Sequence, residues 1–492
     1  MGDNSGAPQR CHAAKWGMLM GMSQRVALID PLAVIDGRKV FFLRDTFGGE
    51  VPLSCPYPPL ELAFTASLLL EGGHEPDLIA ANVMGLTHDR VIDRLRRTPP
   101  DIVLIPSAWG SLDDDRGLLR TLKRAFPDAT LVISGPNVSA TPDAVLDSSE
   151  ADVVICGEPE EAVRLMADGH EMASVPNVVF RGENGFVSTE RRLPPGWVDQ
   201  PRPARHLLDL EQYTIPFARR GPATTVSTTR GCAHNCTFCP SQIWHHRTVR
   251  SRPVDAVIDE FSELVGRYGI REVHFRDDTF TGDHERVFDL CDALDRSGLD
   301  LTWRCFGSAS TVTPEVLKRM ASAGCFQVCF GFESGDDKIL RRTGKGTTVA
   351  QGELAARWTH AAGMEVSGTF LVGLEGETEA SVERSVRFAI DNDLDYVQVN
   401  AAVPLPSTAF GKRSTYKGLE SRPETFRWIG AEPSESATME AGSMPNQVRS
   451  FYQRFYLRPG YVAGRLTSRR GLHALFSHAR LGVKMVRAVM LA

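Results

Sequence analysis

From Arg25 onward the chain alternates short β-branched runs with amphipathic stretches: Val26 to Ile29, Leu60 to Leu70, Leu78 to Ala80, Val91 to Leu95 and Ile102 to Ile105. This βαβ rhythm continues through Leu119 to Phe126, Leu131 to Ser134, a helical piece near Ala144 and Val153 to Cys156. A further helix opens at Pro159, because proline's fixed φ and missing N–H suit a first helical position. Five strands with helical crossovers over residues 24–180 predict an α/β domain built on a doubly wound parallel sheet. Ligands of such sheets sit outside the carboxyl ends of the strands, where backbone must come close. There the chain places Ser107 after the third strand, Gly135-Pro136-Asn137 after the fourth and Gly157-Glu158 after the fifth. By composition these are ordinary turns; their position makes them candidate ligand contacts.

Residues 181–223 are rich in proline and arginine without a sustained period, as in Arg192-Leu193-Pro194-Pro195 and Gln200-Pro201-Arg202-Pro203, and read as a linker. A second alternation occupies 224–418, with strands near Thr224 to Thr229, Glu272 to Phe275, Leu301 to Cys305, Gln327 to Phe330, Glu365 to Val372 and Tyr396 to Ala401. Six βα units predict a partial (β/α)6 barrel. Its clearest helix repeats Val254, Val257, Ile258, Phe261, Leu264, Val265 and Tyr268 at three and four residues, one apolar face to set against a barrel wall. Parallel strands need such crossovers, and catalytic groups then belong at the carboxyl ends of the strands. Residues 419–492 form an α-helical region. Its last stretch sets Leu475, Phe476, Leu481, Val483, Val486 and Met490 near one face, with Arg480, Lys484 and Arg487 elsewhere. Such a basic amphipathic helix is expected to dock on its own protein, peripheral membrane association being the other option.

The 492 residues allow about three domains at roughly 150 residues each. Hydrophobic residues at 42% and charged residues at 24% exclude disordered, collagen-like and disulfide-scaffold classes. A net charge of -6 supplies no basic field of the kind that draws a protein to nucleic acid. Residues 1–23 read as a polar tail without a secretory leader, and no apolar run of roughly eighteen residues occurs. The expectation is a cytoplasmic protein with no transmembrane segment. Ten cysteines are too sparse for a disulfide framework, yet three crowd into eight residues, which points to metal chemistry under reducing conditions.

Those three lie in Thr228-Thr229-Arg230-Gly231-Cys232-Ala233-His234-Asn235-Cys236-Thr237-Phe238-Cys239-Pro240, directly after the first strand of the second series. Thiolates at Cys232, Cys236 and Cys239 can each bind one iron of a 4Fe-4S cluster and leave the fourth iron open for another ligand. A structural zinc site usually closes with four Cys or His ligands, often as two separated pairs, and a partner pair is missing here. His234 or a distant histidine could still complete one, and buried structural cysteines are common.

The CxxxCxxC run with aromatic Phe238 before its last cysteine resembles the signature of the radical S-adenosylmethionine (SAM) superfamily. The resemblance spans roughly Thr224 to Ala409. It implies that SAM chelates the open iron and that one electron splits it to methionine and a 5′-deoxyadenosyl radical, which takes hydrogen from unactivated carbon. Asp277 and Asp278, in His274 to Thr281, are similar to the segment that holds SAM's amino group. Gly331-Phe332-Glu333-Ser334-Gly335 resembles the polar patch beside its ribose and methionyl portion, so Glu333 and Ser334 are candidate contacts. Ser308 is placed to reach the SAM carboxylate. The turn at Gly373, within Gly368 to Thr378, resembles the place where backbone approaches adenine. Val403 to Thr408 resembles the proline-rich exit from strand six, with Ser407 where glycine is usual.

A sheet domain directly before such a barrel resembles the cobalamin-binding subclass, in which the leading domain is Rossmann- or flavodoxin-like. Cys55-Pro56-Tyr57-Pro58-Pro59 and Phe455 to Pro459 resemble this subclass as well. The Asp-x-His-x-x-Gly motif that supplies a lower histidine ligand to cobalt is absent after the first strand; Asp168-Gly169-His170 lies past the fifth and lacks the final glycine. Cobalamin contacts are therefore expected from Pro58, Ser107, Gly135, Pro136, Gly157 and Glu158. The architecture implies a methyltransferase in which methylcobalamin methylates a substrate carbon radical. The substrate would be a small molecule, a lipid or a peptide-derived scaffold, and the electron would come from an external flavodoxin or ferredoxin. A cyclase or rearrangement enzyme shares every one of these motifs. A methylthiotransferase would call for more leading-domain cysteines than Cys55 and Cys156, and a noncatalytic cobalamin or iron-sulfur sensor would need binding alone. Cys291, Cys305, Cys325 and Cys329 are expected to pack in cores. His245 and His246 are either substrate contacts or exposed loop residues.

Overall fold

The computed structural model describes residues 21–413 and 443–467, apart from 36–37, 42–43, 45–54, 194–196, 198–199 and 216–217. The expected helix from Leu475 to Met490, the tail before residue 21, the boundary at 418 and the Pro194-Pro195 pair lie outside the described residues. Among the described residues no helix is long and apolar enough to cross a membrane.

Strands β1 (Arg25–Ile29), β2 (Glu75–Ile79), β3 (Ile102–Pro106), β4 (Thr130–Ser134) and β5 (Val153–Ile155) run parallel in the order β2-β1-β3-β4-β5. All five residues of β3 are buried, as a strand covered on both faces requires. One face packs on Leu118, Leu122 and Val138, the other on Leu62, Leu69, Val163 and Met166. The strand order reverses between β1 and β3, the place where such sheets take ligands.

The sheet runs past residue 180, where the sequence pattern suggests a domain edge. Strand β6 (Val178–Gly182) pairs antiparallel with β5, and β7 (Gly185–Ser188) with β6. Three of the four residues of β7 are exposed, so the hairpin has almost no hydrophobic pattern to betray it. The described residues of 181–223, expected as a linker, pack on both domains. Trp197, Arg205 and Tyr213 are buried, and Arg205 pairs with Glu260 at 2.6 Å and donates to the Thr225 carbonyl at 2.7 Å.

The second sheet takes β8 (Ala223–Val226), β9 (Glu272–Phe275), β10 (Thr302–Gly307), β11 (Cys325–Glu333), β12 (Glu365–Val372) and β13 (Tyr396–Ala401) in chain order, all parallel, as an open barrel. The helix Val254–Tyr268 buries Val257, Phe261 and Leu264 against it and stops at Gly269, whose φ of 65° lets the chain turn out. Later helices begin where Asp283, Thr313, Thr348 and Thr378 side chains accept otherwise unpaired helix N–H groups. An open barrel leaves two unpaired strand edges, at β8 and β13, and the one at β13 is shielded. Here the helix Ser443–Tyr456 covers it: the Tyr452 hydroxyl accepts from Val399 N–H at 2.8 Å, and the Tyr456 hydroxyl accepts from Val397 N–H at 3.0 Å and donates to its carbonyl at 2.9 Å. Phe451 and Phe455 from the same helix are fully buried in the barrel core.

Candidate active site

The cysteine loop starts where Thr229 and Arg230 pair with Ser251 and Arg250 in a short antiparallel ladder. Gly231 follows at φ 94°, and a Cβ there would sit 2.0 Å from the Thr248 carbonyl oxygen, so only glycine lets the two segments cross. Cys236 is buried, Cys232 and Cys239 are half-buried, and all three thiols are free. The loop is pinned by Thr237 N–H donating to the Thr343 carbonyl at 2.8 Å and Gln242 donating to the Cys236 carbonyl at 2.9 Å. Burial pushes the Cys236 thiol up to about 11, Lys345 pulling the other way; burial and then Cys236 itself hold Cys239 well above the usual thiol range. Among the described residues no group of three or more His, Cys, Asp or Glu side chains is gathered as a single-ion site. Three cysteines on one pinned loop, whose thiolates would repel one another, fit a cluster, which gives each thiolate its own iron and supplies the positive charge that desolvation demands.

The other barrel candidates lie at the carboxyl ends of the strands, in different states of engagement. Asp277 is fully buried and already committed: it accepts from Thr228 N–H at 2.6 Å and from the Thr228 hydroxyl at 2.5 Å, so its carboxylate ties the end of β9 to that of β8 instead of facing a ligand. Burial raises its carboxyl above the usual range, against the Thr228 bonds. Asp278 is half-buried and accepts from Ser241, just past the cysteine loop, at 2.8 Å. Ser308 is buried with its hydroxyl 3.0 Å from that of Ser310. Glu333 has φ 62°, a strained value for a non-glycine residue, and pairs with Lys345 at 2.9 Å. Ser334 is buried with its hydroxyl 3.4 Å from that of Ser385. Phe238 packs against Ile339, Leu374 and Phe410. Gly373, φ 97°, donates to Glu377 at 2.7 Å, and a Cβ on it would meet Met444 of the helix Ser443–Tyr456 at 2.6 Å, so that helix fills the side of the turn toward which a side chain would point. Burial pushes Glu377 up to about 8, against two backbone N–H bonds.

Sequence reasoning passed over Lys345 and Glu377. The signal for Lys345 was present in Gly344-Lys345-Gly346: both glycines have positive φ, and a Cβ on Gly344 would lie 2.8 Å from the Asn235 carbonyl oxygen in the cysteine loop.

In the sheet domain, Gly135 has φ 133° and a Cβ on it would lie 2.1 Å from the Ser107 carbonyl oxygen. The Ser107 hydroxyl donates to Asp115 at 2.7 Å and accepts from Asn137 at 2.8 Å, and its N–H donates to the Ser134 carbonyl at 2.7 Å, so the residue offers a ligand shape and not a free donor. Pro136 is buried at the head of the short helix Pro136–Ala140. Gly157 is buried too, yet a Cβ there would touch nothing within 4 Å. A strand edge of small residues with room beside it fits the close approach of a flat macrocycle. Glu158 differs from expectation: its carboxylate is spent on Arg230 at 2.9 Å, His245 at 2.9 Å and Arg250, all from the barrel. Burial alone would raise its carboxyl, but Arg230, His245 and Arg250 hold it far below the usual range. His245 is thereby buried and engaged, whereas His246 is exposed.

The two carboxyl edges therefore face each other. Between them opens a cleft lined from the sheet side by Asp30, Asn82 and Pro106, from the turn ahead of the helix Leu60–Glu71 by Tyr57 and Pro58, and from the barrel by Thr225, Ser227 and Arg276; none of the three loop cysteines lines it. Cys55, Cys156, Cys291, Cys305, Cys325 and Cys329 are all buried in packing positions.

A loop of three free cysteines at the mouth of an open six-stranded barrel, set against a doubly wound sheet, defines a class. Residues 226–389 match the radical SAM superfamily and residues 53–167 match the B12 binding domain. The chain belongs to the radical SAM superfamily, in the branch that carries a B12 binding domain, and is an enzyme whose cofactors are a 4Fe-4S cluster, SAM and cobalamin. It is 31% identical over 413 residues to an uncharacterized methyltransferase of Pyrococcus horikoshii, covering 82% of this chain and 88% of the relative. It is 25% identical over 446 residues to the anaerobic magnesium-protoporphyrin IX monomethyl ester cyclase of Rubrivivax gelatinosus, covering 86% and 78%. Its fold is similar to that of the radical SAM methyltransferase TsrM from Kitasatospora setae, solved with cobalamin and a 4Fe-4S cluster bound. The TM-score is 0.64 at 19% identity over 79% of this chain and 77% of that one.

Proposed function

We propose that the chain is a cobalamin-dependent C-methyltransferase acting on an unactivated carbon of a small-molecule, lipid or peptide-derived substrate, with an external flavodoxin or ferredoxin supplying electrons. When bound, the cluster and SAM supply a hydrogen-abstracting radical and cobalamin supplies a transferable methyl group. Cys232, Cys236 and Cys239 hold the cluster. Glu333, aimed by Lys345, accepts ribose hydroxyls, with Ser334 beside it. Asp278 and Ser308 take the amino and carboxylate ends of SAM, Phe238 walls the pocket, and the Gly373 backbone borders adenine. Asp277 acts one step back, bracing the ends of β8 and β9. Pro58, Pro136 and the backbones of Ser107, Gly135 and Gly157 border the corrinoid.

The observation that carries this reading is the junction of the two carboxyl edges: Glu158, just past β5, pairs at 2.9 Å with Arg230, two residues before Cys232, so a group held on one edge is brought near a group held on the other, and positioning of this kind is the protein's main contribution to cofactor chemistry. The Pyrococcus relative's name supports methyl transfer. Kinship with the Rubrivivax cyclase favours ring formation as the second reading. Anaerobic protein given cobalamin, SAM and reductant separates them. Methyl transfer consumes SAM in two ways and yields both 5′-deoxyadenosine and S-adenosylhomocysteine. Deoxyadenosine without S-adenosylhomocysteine overturns the methyltransferase reading in favour of the cyclase.

A further inference from the structure

Glu158 stands one residue past Gly157 at the carboxyl edge of the sheet domain, almost wholly withdrawn from solvent. Its three partners, Arg230, His245 and Arg250, all belong to the segment that carries the cysteine loop. Arg230 also pairs with Glu160 at 2.6 Å and lies over the Trp197 ring, 4.5 Å from its centroid. Two residues further on is Cys232. Behind Glu158 the bonding runs into the sheet edge: Gly157 N–H donates to the Ser139 hydroxyl at 3.0 Å, and that hydroxyl donates to the Gly135 carbonyl at 2.7 Å. An unbroken chain of directional contacts thus joins two strand-end loops of one domain to the first residues of the cysteine loop in the other.

Burying so many charges costs solvation that pairing only offsets, and apolar residues could hold two domains together as firmly. Charge-assisted hydrogen bonds add a fixed register, because they weaken with small displacements that apolar contact tolerates.

We propose that Glu158 is a positioning residue that sets the register between the corrinoid-bearing sheet edge and the cluster-bearing loop. The proposal rests on the functional reading above. Its role is distance and orientation between two sites, not contact with either cofactor.

The test uses the full chain, purified without oxygen, with its cluster reconstituted and cobalamin loaded, poised so that cob(II)alamin coexists with either oxidised or reduced cluster. The readout is the electron-spin relaxation of cob(II)alamin, which a nearby reduced cluster accelerates by dipolar coupling that falls steeply with separation. Wild type is expected to show a several-fold acceleration. Glu158→Gln is expected to lose most of it while iron and corrinoid contents stay at wild-type level, and Glu158→Asp to restore it. An ion cage that only stabilised the fold would lower the melting temperature and leave the acceleration intact. Glu158→Gln with full cofactor content and wild-type acceleration overturns the proposal alone. Should the single variant not fold, Glu158→Gln combined with Arg250→Met, which removes one anion and one cation together, is read by the same criterion. A wild type that takes up no corrinoid, or shows no acceleration, sinks the functional reading and this proposal with it.

Discussion

The cysteine loop and the sheet's carboxyl edge face each other, yet they present chemistry in opposite ways. The loop offers three side chains at fixed spacing, Cys232, Cys236 and Cys239. The edge offers backbone and vacancy: Gly135 so close to Ser107 that no side chain fits, and Gly157 buried beside open space. Metal ligation needs particular atoms and therefore particular residue types, whereas a macrocycle resting on strand ends needs only that side chains be absent. One kind of site is written as a motif; the other is written as a shape.

The largest effect that would break this comparison is removal of the thiols. Substituting Cys232, Cys236 and Cys239 together with alanine should take deoxyadenosine formation to background and abolish the iron-sulfur absorption while corrinoid uptake by the sheet domain continues. Loss of corrinoid uptake as well would mean that the two sites are not separable. The converse variant, Gly135→Ala, forces a Cβ against the Ser107 carbonyl at φ 133°. Strain of about 1–3 kcal/mol at such a position, passed on to the bound state, corresponds to roughly fivefold to 150-fold weaker corrinoid binding, read by absorbance titration, with iron content unchanged.

A third test concerns the turn after β12. Glu377 is pushed up to about 8, chiefly by burial, so the folded protein keeps a proton that the unfolded chain releases near the usual carboxyl range. Its contribution is fully present at low pH, and stability falls as pH rises from about 4.5 toward 8, by at most about 1.4 kcal/mol per pH unit. Denaturant melts should show that slope in wild type and lose it in Glu377→Gln; equal slopes would mean that Glu377 is ionised in the fold. The smallest effect is expected at the barrel's open edge. Tyr456→Phe strands the N–H and carbonyl of Val397 and should cost about 1–3 kcal/mol in denaturant melts without changing iron or corrinoid content.

Much of the architecture was legible along the chain. Among the described residues, each of the eleven parallel strands overlaps a run read from the chain, and where both faces are buried, as in Ile102–Pro106, the run is continuous. The hairpin of β6 and β7 was not legible, since an edge strand that buries almost nothing carries no pattern. Nor was the packing of residues 181–223, because Trp197, Arg205 and Tyr213 each find their partners singly and without a period. Within the site, the cysteines could be assigned by type and spacing. Asp277 and Glu158 carried the right chemistry for ligand contact, but their actual partners, Thr228 in one case and Arg230, His245 and Arg250 in the other, lie at least 49 and 72 positions away in the chain. The C-terminal tyrosines likewise could have lined a pocket; they close the barrel edge instead.

The sequence by itself determined the two αβ series, the three-cysteine loop and the class of chemistry, because these depend on periodicity and on residue types that few other sites require. Only the tertiary structure decided which carboxylates are consumed as braces, as Asp277 and Glu158 are, and that the two strand edges meet. A carboxylate's role is set by the cations and donors around it, and those arrive from distant segments only once the chain has folded.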